Sequence, residues 1–160
     1  MRQAVSIRPL AVNDALSLCQ LMEAQAPSYI QFFTPFPFEV DHLTKLLARR
    51  KRDVWMALRW QNKLIGFFLL RGWDEGFDVP SYGIMIDEAF TGYGFGRLSL
   101  RVAKSIAMLR QAPRLMLKVH PQNHEAKRLF ENEKFKRTGL DSRTGNLIYA
   151  YELPRRTKQR

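Results

Sequence analysis

The sequence predicts a mixed α/β fold: one domain on a central, mostly antiparallel sheet of six to seven strands, with flanking helices. Three observations carry this. Short β-rich runs and helix-period runs alternate in the order β-α-α-β-β-β-α-β-α-β-β. The segment from Ser81 to His120 reads strand–helix–strand, a unit that is parallel with a right-handed crossover. The other strands are joined by short connections, which makes them antiparallel neighbours. The chain has 160 residues, enough for one proper core, and neither a repeat nor a linker divides it.

Each element has its own signal. Ala4 to Leu10 has the β-rich look of a first strand. Asn13 to Gln25 places Ala15, Leu18, Leu21 and Met22 on one helical face, with Asn13 or Asp14 as the cap. Ala26 to Val40 is crowded with aromatics and prolines and cannot be regular throughout. Glu39 to Arg52 is a second helix, with Val40, Leu43, Leu46 and Leu47 on one face. Asp53–Trp60 and Lys63–Gly72 are strands around a Gln61–Asn62 turn, and the loop Gly72–Pro80 leads into a fourth strand, Ser81–Asp87. Arg97–Arg110 is helical, with Leu98, Val102, Ile106 and Leu109 along its stripe. A fifth strand, Arg114–His120, precedes a helix from Asn123 to Glu133 capped by Asn123. Lys134–Gly139 and Asn146–Leu153 close the sheet.

Composition narrows the class. Apolar residues make up 46% and charged residues 26%, ordinary for a soluble globular protein. No apolar run approaches the ~20 residues of a membrane span, and the N-terminus lacks a signal peptide's apolar core. The chain reads as cytoplasmic, with no membrane partner. Cys19 is the single cysteine, which excludes an internal disulfide and a Cys-rich zinc site. His42, His120 and His124 are too few and too scattered to suggest a metal site. The charge is unusual: 26 basic against 15 acidic residues give +11, partly concentrated in Ala48–Arg52 and in a basic tail, residues 155–160, that follows a domain of residues 1–154. Such a balance favours anionic partners: nucleic acid, a phosphorylated cofactor or an anionic substrate. A solvated helix end and a disordered tail are the plainer reading of the two clusters.

The stretch FTGYGFGRLSL, Phe90 to Leu100, alternates Gly92, Gly94 and Gly96 before a helix. A dinucleotide fingerprint would need its third glycine at Arg97 or Ser99, and no Gly-Lys-Ser/Thr follows for a Walker loop. What remains is a strand–loop–helix turn. In it Gly94 and Gly96 let backbone N–H groups approach an anion, and the helix adds its positive end. Arg97 and Arg101, one turn apart, add charge at the rim. A turn that merely reverses the chain is the competing reading.

The run IMIDEAFTGYGFGRLSL resembles the acetyl-CoA-binding segment of the GNAT superfamily of N-acetyltransferases, whose signature is Gln/Arg-x-x-Gly-x-Gly/Ala at a strand–helix turn. Thr91, Gly94 and Gly96 occupy the signature positions. LKVHPQNHEAKRLFENEKF resembles the family's next strand–helix element, with Leu117, Val119, Asn123, Ala126, Leu129 and Phe135 in register. The resemblance covers Ser81 to Phe135, and the element order agrees with the family beyond it.

The resemblance implies acetyl-CoA as co-substrate. The backbone of Ile84, Met85 and Ile86 would bind the pantetheine arm like an extra strand. Thr91, Gly92, Tyr93, Gly94, Phe95, Gly96 and Arg97 would wrap the pyrophosphate. Asn123 would meet the arm from the other side, and Lys127 or Arg128 would reach the phosphates unless merely solvated. Phe130 would line the thiol end. Three departures stand out: Thr91 for Gln or Arg, Lys134 for Gly, and Phe130 for a frequent Tyr that protonates the leaving thiolate. Without that Tyr, another group or water serves, or the thiolate leaves unprotonated at a pKa of about 8.5, or activity is lost.

The implied reaction is direct attack of an amine on the acetyl thioester. The amine must be neutral, so a base or water relay helps, and the oxyanion needs an N–H donor from the fourth strand. Candidates for the base are Asp74 and Glu75, with Asp78, in the loop before the fourth strand; His120 at the end of the fifth; and Tyr82. A solvated loop and an ordinary loop histidine are the bland alternatives. Tyr29, Phe32, Phe33, Phe36 and Phe38 either wall an acceptor pocket or pack on the core.

The expected acceptor is a primary amine on a small molecule, with the positive charge hinting at an anionic or nucleotide-linked amino sugar. A protein N-terminal or lysine acetyltransferase is the close alternative. A nucleic-acid binder and a non-catalytic acyl-CoA sensor are the others. Oligomeric state is left open, with a homodimer compatible.

Overall fold

The computed structural model describes residues 4–33 and 36–155. Its elements are β1 (Val5–Pro9), α1 (Ala15–Glu23), α2 (Pro27–Ile30), α3 (Val40–Arg49), β2 (Val54–Trp60), β3 (Lys63–Arg71), β4 (Ser81–Ile86), α4 (Phe95–Leu109), β5 (Arg114–Val119), α5 (His124–Asn132), β6 (Lys136–Leu140) and β7 (Leu147–Glu152). The expected order holds, with the single-turn α2 added. Residues 156–160 of the basic tail lie outside the described residues.

One seven-stranded sheet runs β1-β2-β3-β4-β5-β7-β6. Every neighbouring pair is antiparallel except β4 and β5, which are parallel. A core fills each face. Phe68, Leu70, Leu100, Ala103, Ala107, Leu117 and Phe130 pack on the α4–α5 side. Leu18, Met22, Leu43, Leu47, Trp55, Phe67 and Leu69 pack on the α1–α3 side. Successive strand residues point to opposite faces, so the apolar run of β3 is buried on both sides, as a central strand covered by helices must be. Gln61 and Asn62 both take positive φ, 50° and 67°, the geometry a two-residue hairpin demands.

Two expectations need correction. Asp14 stands at the N-terminus of α1 but does not cap it: its carboxylate accepts the Ala11 amide at 2.7 Å and pairs with Arg59 at 2.8 Å. The apolar stripe of α4 also lies elsewhere. Leu98 is 42% and Leu109 77% exposed, while Phe95, Ser99, Leu100, Ala103 and Ala107 face the sheet. Small side chains spaced four apart let the helix lie close on the strands, and Val102 and Ile106 pack along its flank. The Ser99 hydroxyl donates to the Phe95 carbonyl at 2.8 Å, so burying it leaves no orphaned polar atom.

Candidate active site

The site begins where β4 and β5 part. Their pairing covers only Ser81–Met116 and Tyr82–Leu117, and beyond it the strands diverge. Met116 N–H donates to the Pro80 carbonyl across this boundary at 3.1 Å. By strand alternation the backbone groups of Pro80, Tyr82, Ile84 and Ile86 therefore face β5. Ile84 and Ile86 thus present polar backbone edges to an open gap. Met85 does not: its backbone faces β3, opposite Phe67, and its side chain is buried on the α1–α3 face. Of the three residues expected to bind the arm, Met85 is corrected on this ground.

Next to the gap, the glycine turn enters α4. Gly92 and Gly94 have φ of 84° and 87°, values L side chains rarely adopt, and a Cβ at either would meet no other atom within 4 Å. Their role is conformational, and they leave the turn open to solvent. Gly96 differs: a Cβ there would come within 3.3 Å of Leu129, so this glycine lets α4 and α5 approach. Leu98 N–H donates to the Gly94 carbonyl at 3.0 Å, which begins the helical ladder. The amides of Phe95, Gly96 and Arg97 precede it and are free for an anion, with the helix dipole behind them. Tyr93 is exposed and its ring meets Trp60 edge-on, holding the turn against the β2–β3 hairpin. The Thr91 hydroxyl donates to the Glu88 carbonyl at 2.8 Å, closing the preceding turn.

The cations at the rim are organised by a residue that sequence reasoning missed. Glu133, 8% exposed, pairs with Arg97 at 3.4 Å, Arg101 at 3.2 Å and Lys104 at 3.7 Å. Burial would raise the Glu133 pKa, but its hydrogen bonds to Arg101 and the surrounding cations outweigh this and hold it below the usual glutamate range. The signal was available: Arg97, Arg101 and Lys104 share one face of α4. Lys127 donates to the Pro121 carbonyl at 3.3 Å, beside the gap, while Arg128 is exposed. Asn123 caps α5 through Oδ1, accepting the Ala126 amide at 3.3 Å.

From the α1–α3 side one segment reaches both arms of the gap. The Tyr29 hydroxyl donates to the Ile86 carbonyl at 2.5 Å, and the Phe32 ring stacks on His120 with centroids 4.4 Å apart. Gln25 Oε1 accepts the Glu88 amide at 2.9 Å and fixes the same segment to the end of β4. Burial first, then Glu125, Glu88 and Asp87, push the Tyr29 pKa up to about 12, so Tyr29 stays a donor. Phe33, Phe36 and Phe38 pack against Phe67 and Trp55 and extend the core.

The candidate bases fare unequally. Asp74 and Glu75 sit in the loop before β4, at the end where β4 still pairs with β5, whereas the gap opens beyond Tyr82. Asp74 accepts the amides of Lys51 at 3.0 Å and Arg52 at 2.6 Å. Slight desolvation opposes these bonds, but they and the charge of Arg52 hold its carboxyl below the ordinary aspartate value. Asp74 is a structural clasp, its carboxylate taken up by the Lys51 and Arg52 amides, and the loop that carries Glu75 and Asp78 enters β4 at its paired end. Tyr82 is corrected. Its hydroxyl is buried among Phe68 and Phe130 without a partner, and burial pushes its pKa well above the ordinary tyrosine value, so it cannot take a proton near neutrality. Phe130 is buried against Tyr82 and Phe135 and has no acidic proton. His120 is half-buried and follows β5 into the mouth of the gap.

Among the described residues no group of His, Cys, Asp or Glu is gathered to hold a metal, and no helix is long and apolar enough to cross a membrane. No curated protein matches the chain. Solved structures with the same fold include a domain from Methanocaldococcus jannaschii (22% identity, 95% of this chain and 100% of that one, TM-score 0.78). The PaiA N-acetyltransferase of Thermoplasma acidophilum in complex with coenzyme A is another (17% identity, 93% and 99%, TM-score 0.76). A third is the Salmonella typhimurium acetyl transferase that modifies the N-terminal serine of ribosomal protein L7/L12 (17% identity, 94% and 95%, TM-score 0.78). At these identities the likeness is one of fold. The sequence model of the acetyltransferase (GNAT) family matches residues 18–135, most of the chain. Gap, glycine turn and family match agree: the chain belongs to the GNAT family and is an acetyl-CoA-dependent N-acetyltransferase.

Proposed function

We propose that this enzyme acetylates the primary amine of a small, cationic molecule by direct attack on the thioester of acetyl-CoA. The observation that carries the reading is the strap formed by Tyr29 and Phe32, which spans both arms of the gap and narrows its acceptor side. Ile84 and Ile86 would pair with the amides of the pantetheine arm, the amides of Phe95 to Arg97 would hold the pyrophosphate, and the Ile84 N–H would face the developing oxyanion. Asp87, Glu88 and Glu125 lie close enough to Tyr29 to perturb it. The mouth is therefore acidic within a chain of net charge +11, which favours an ammonium-bearing acceptor over the anionic one that net charge suggests.

A second reading, acetylation of a protein α-amine, draws support from the named activity of the Salmonella neighbour. One experiment separates them: CoA-thiol release with spermidine, glucosamine, a nucleotide-linked amino sugar and short peptides bearing free N-termini. The proposal expects turnover with the small cationic amines. Turnover confined to peptides establishes the second reading, and silence with every amine leaves an acyl-CoA-sensing domain.

A further inference from the structure

Three features of His120 bear on its own role. It follows the last residue of β5, on the arm of the gap that faces the unpaired half of β4. Its ring lies against Phe32 at an interplanar angle of 23°, which limits its rotation. Its Nδ1 accepts the backbone N–H of Gln122 at 3.1 Å. A nitrogen that accepts carries no proton, so the neutral ring holds its proton on Nε2, the atom farthest from its own loop. The flipped ring would set a Cδ2–H against the Gln122 amide and lose this bond, so the observed ring orientation is the one that keeps it. The main chain is also fixed, with the Asn123 amide bound to the His120 carbonyl at 2.9 Å.

A base must offer an unprotonated nitrogen, and the one His120 has is occupied. We infer that His120 serves instead as a neutral hydrogen-bond donor, its Nε2–H aimed at the thioester oxygen as that oxygen becomes anionic. This assignment rests on the acetyl-transfer reading. The amine nitrogen bonds to the thioester carbon while the carbonyl π pair moves to oxygen, where Nε2–H and the Ile84 N–H hold it. The pair then reforms C=O, the carbon–sulfur bond breaks with its electrons on sulfur, and the proton lost by the amine ends on the thiolate. No proton leaves His120 at any step. The fixed tautomer resembles an oxyanion-hole donor in its requirements, since such a donor must be in place before charge develops.

The test has two parts. Long-range 15N–1H correlation of the histidine rings near neutral pH, with His120 identified by its absence in H120Q, should show Nδ1 unprotonated and Nε2 protonated. Kinetics with the best amine of the panel then compare H120Q, which keeps a donor near the Nε2 position, with H120A, which does not. H120A should lose about a hundredfold in kcat, the scale of one oxyanion donor. H120Q should stay within about tenfold of the unmutated enzyme. Melting temperatures and acetyl-CoA affinity should be alike in the two variants, which a merely structural role would not produce. A proton on Nδ1, or H120Q as slow as H120A, overturns the assignment while acetyl transfer itself stands. An unmutated enzyme that releases no CoA with any amine overturns the acetyl-transfer reading, and the donor role with it.

Discussion

Lys134 shows how a residue can keep a backbone shape it does not favour. Its φ of 71° is left-handed, where the family pattern carries Gly. The geometry explains the preference. Phe135 N–H donates to the Phe130 carbonyl and Lys134 N–H to the Glu131 carbonyl, the double closure that ends a helix with a left-handed residue just past its cap. Phe130 and Phe135 supply the accompanying apolar contact, with centroids 6.0 Å apart. Lys134→Gly should therefore stabilise the protein by about 1 kcal/mol, the strain relieved exceeding the added entropy of the unfolded chain. Thermal unfolding checks this, and an unchanged or lowered melting temperature would contradict it. The departure was visible in the sequence as a missing glycine. Its cost was not, because it depends on φ.

The turn before α4 and the junction of α4 with α5 carry their own predictions. Gly94→Val forces a β-branched residue into a left-handed position and fills space beside the free amides. It should weaken acetyl-CoA binding by about tenfold or more by calorimetry; unaltered affinity would detach the turn from the cofactor. Glu133→Gln should cost about 1–3 kcal/mol near neutral pH, the range for hydrogen bonds to a charged group. Solvent screening of the exposed Arg97 and Arg101 takes this toward the low end.

The folded pKa of Glu133 is depressed, so its contribution is complete above the unfolded glutamate value of about 4.3. It is lost as pH falls through the lower folded value. The gap in stability between the two proteins should close on that acid side, and a constant gap would refute the charge argument. At this scale the element order was readable, because periodicity reports which residues alternate. The buried face of α4 was not, because Ala103 and Ala107 are buried for their small size, which hydrophobic periodicity does not weigh. The clasp of Asp74 onto Lys51 and Arg52 was equally hidden, since it joins residues far apart in sequence.

Across the whole molecule, function follows from one discontinuity in the sheet. β4 is paired with β3 along its length and with β5 only at its start, so its second half has one free edge. That edge meets the amides that begin α4, while the Tyr29–Phe32 strap closes the other side. Charge acts locally: Arg97, Arg101 and Lys104 gather on Glu133, while Asp87, Glu88 and Glu125 act on Tyr29, and the proposed cationic acceptor rests on the second group and not on net charge. The cofactor side was legible because glycine spacing reports a backbone requirement. The acceptor side was not, because it forms from contacts between distant segments, such as Gln25 with Glu88. The most direct test of the gap is residue-resolved amide hydrogen exchange with and without saturating acetyl-CoA. Binding should newly protect the amides of Ile84, Ile86 and Phe95 to Arg97 and leave Met85, which faces β3, and the Asp74 loop unchanged. Protection of Met85 or the Asp74 loop in their place, or no protection along β4, would contradict the account.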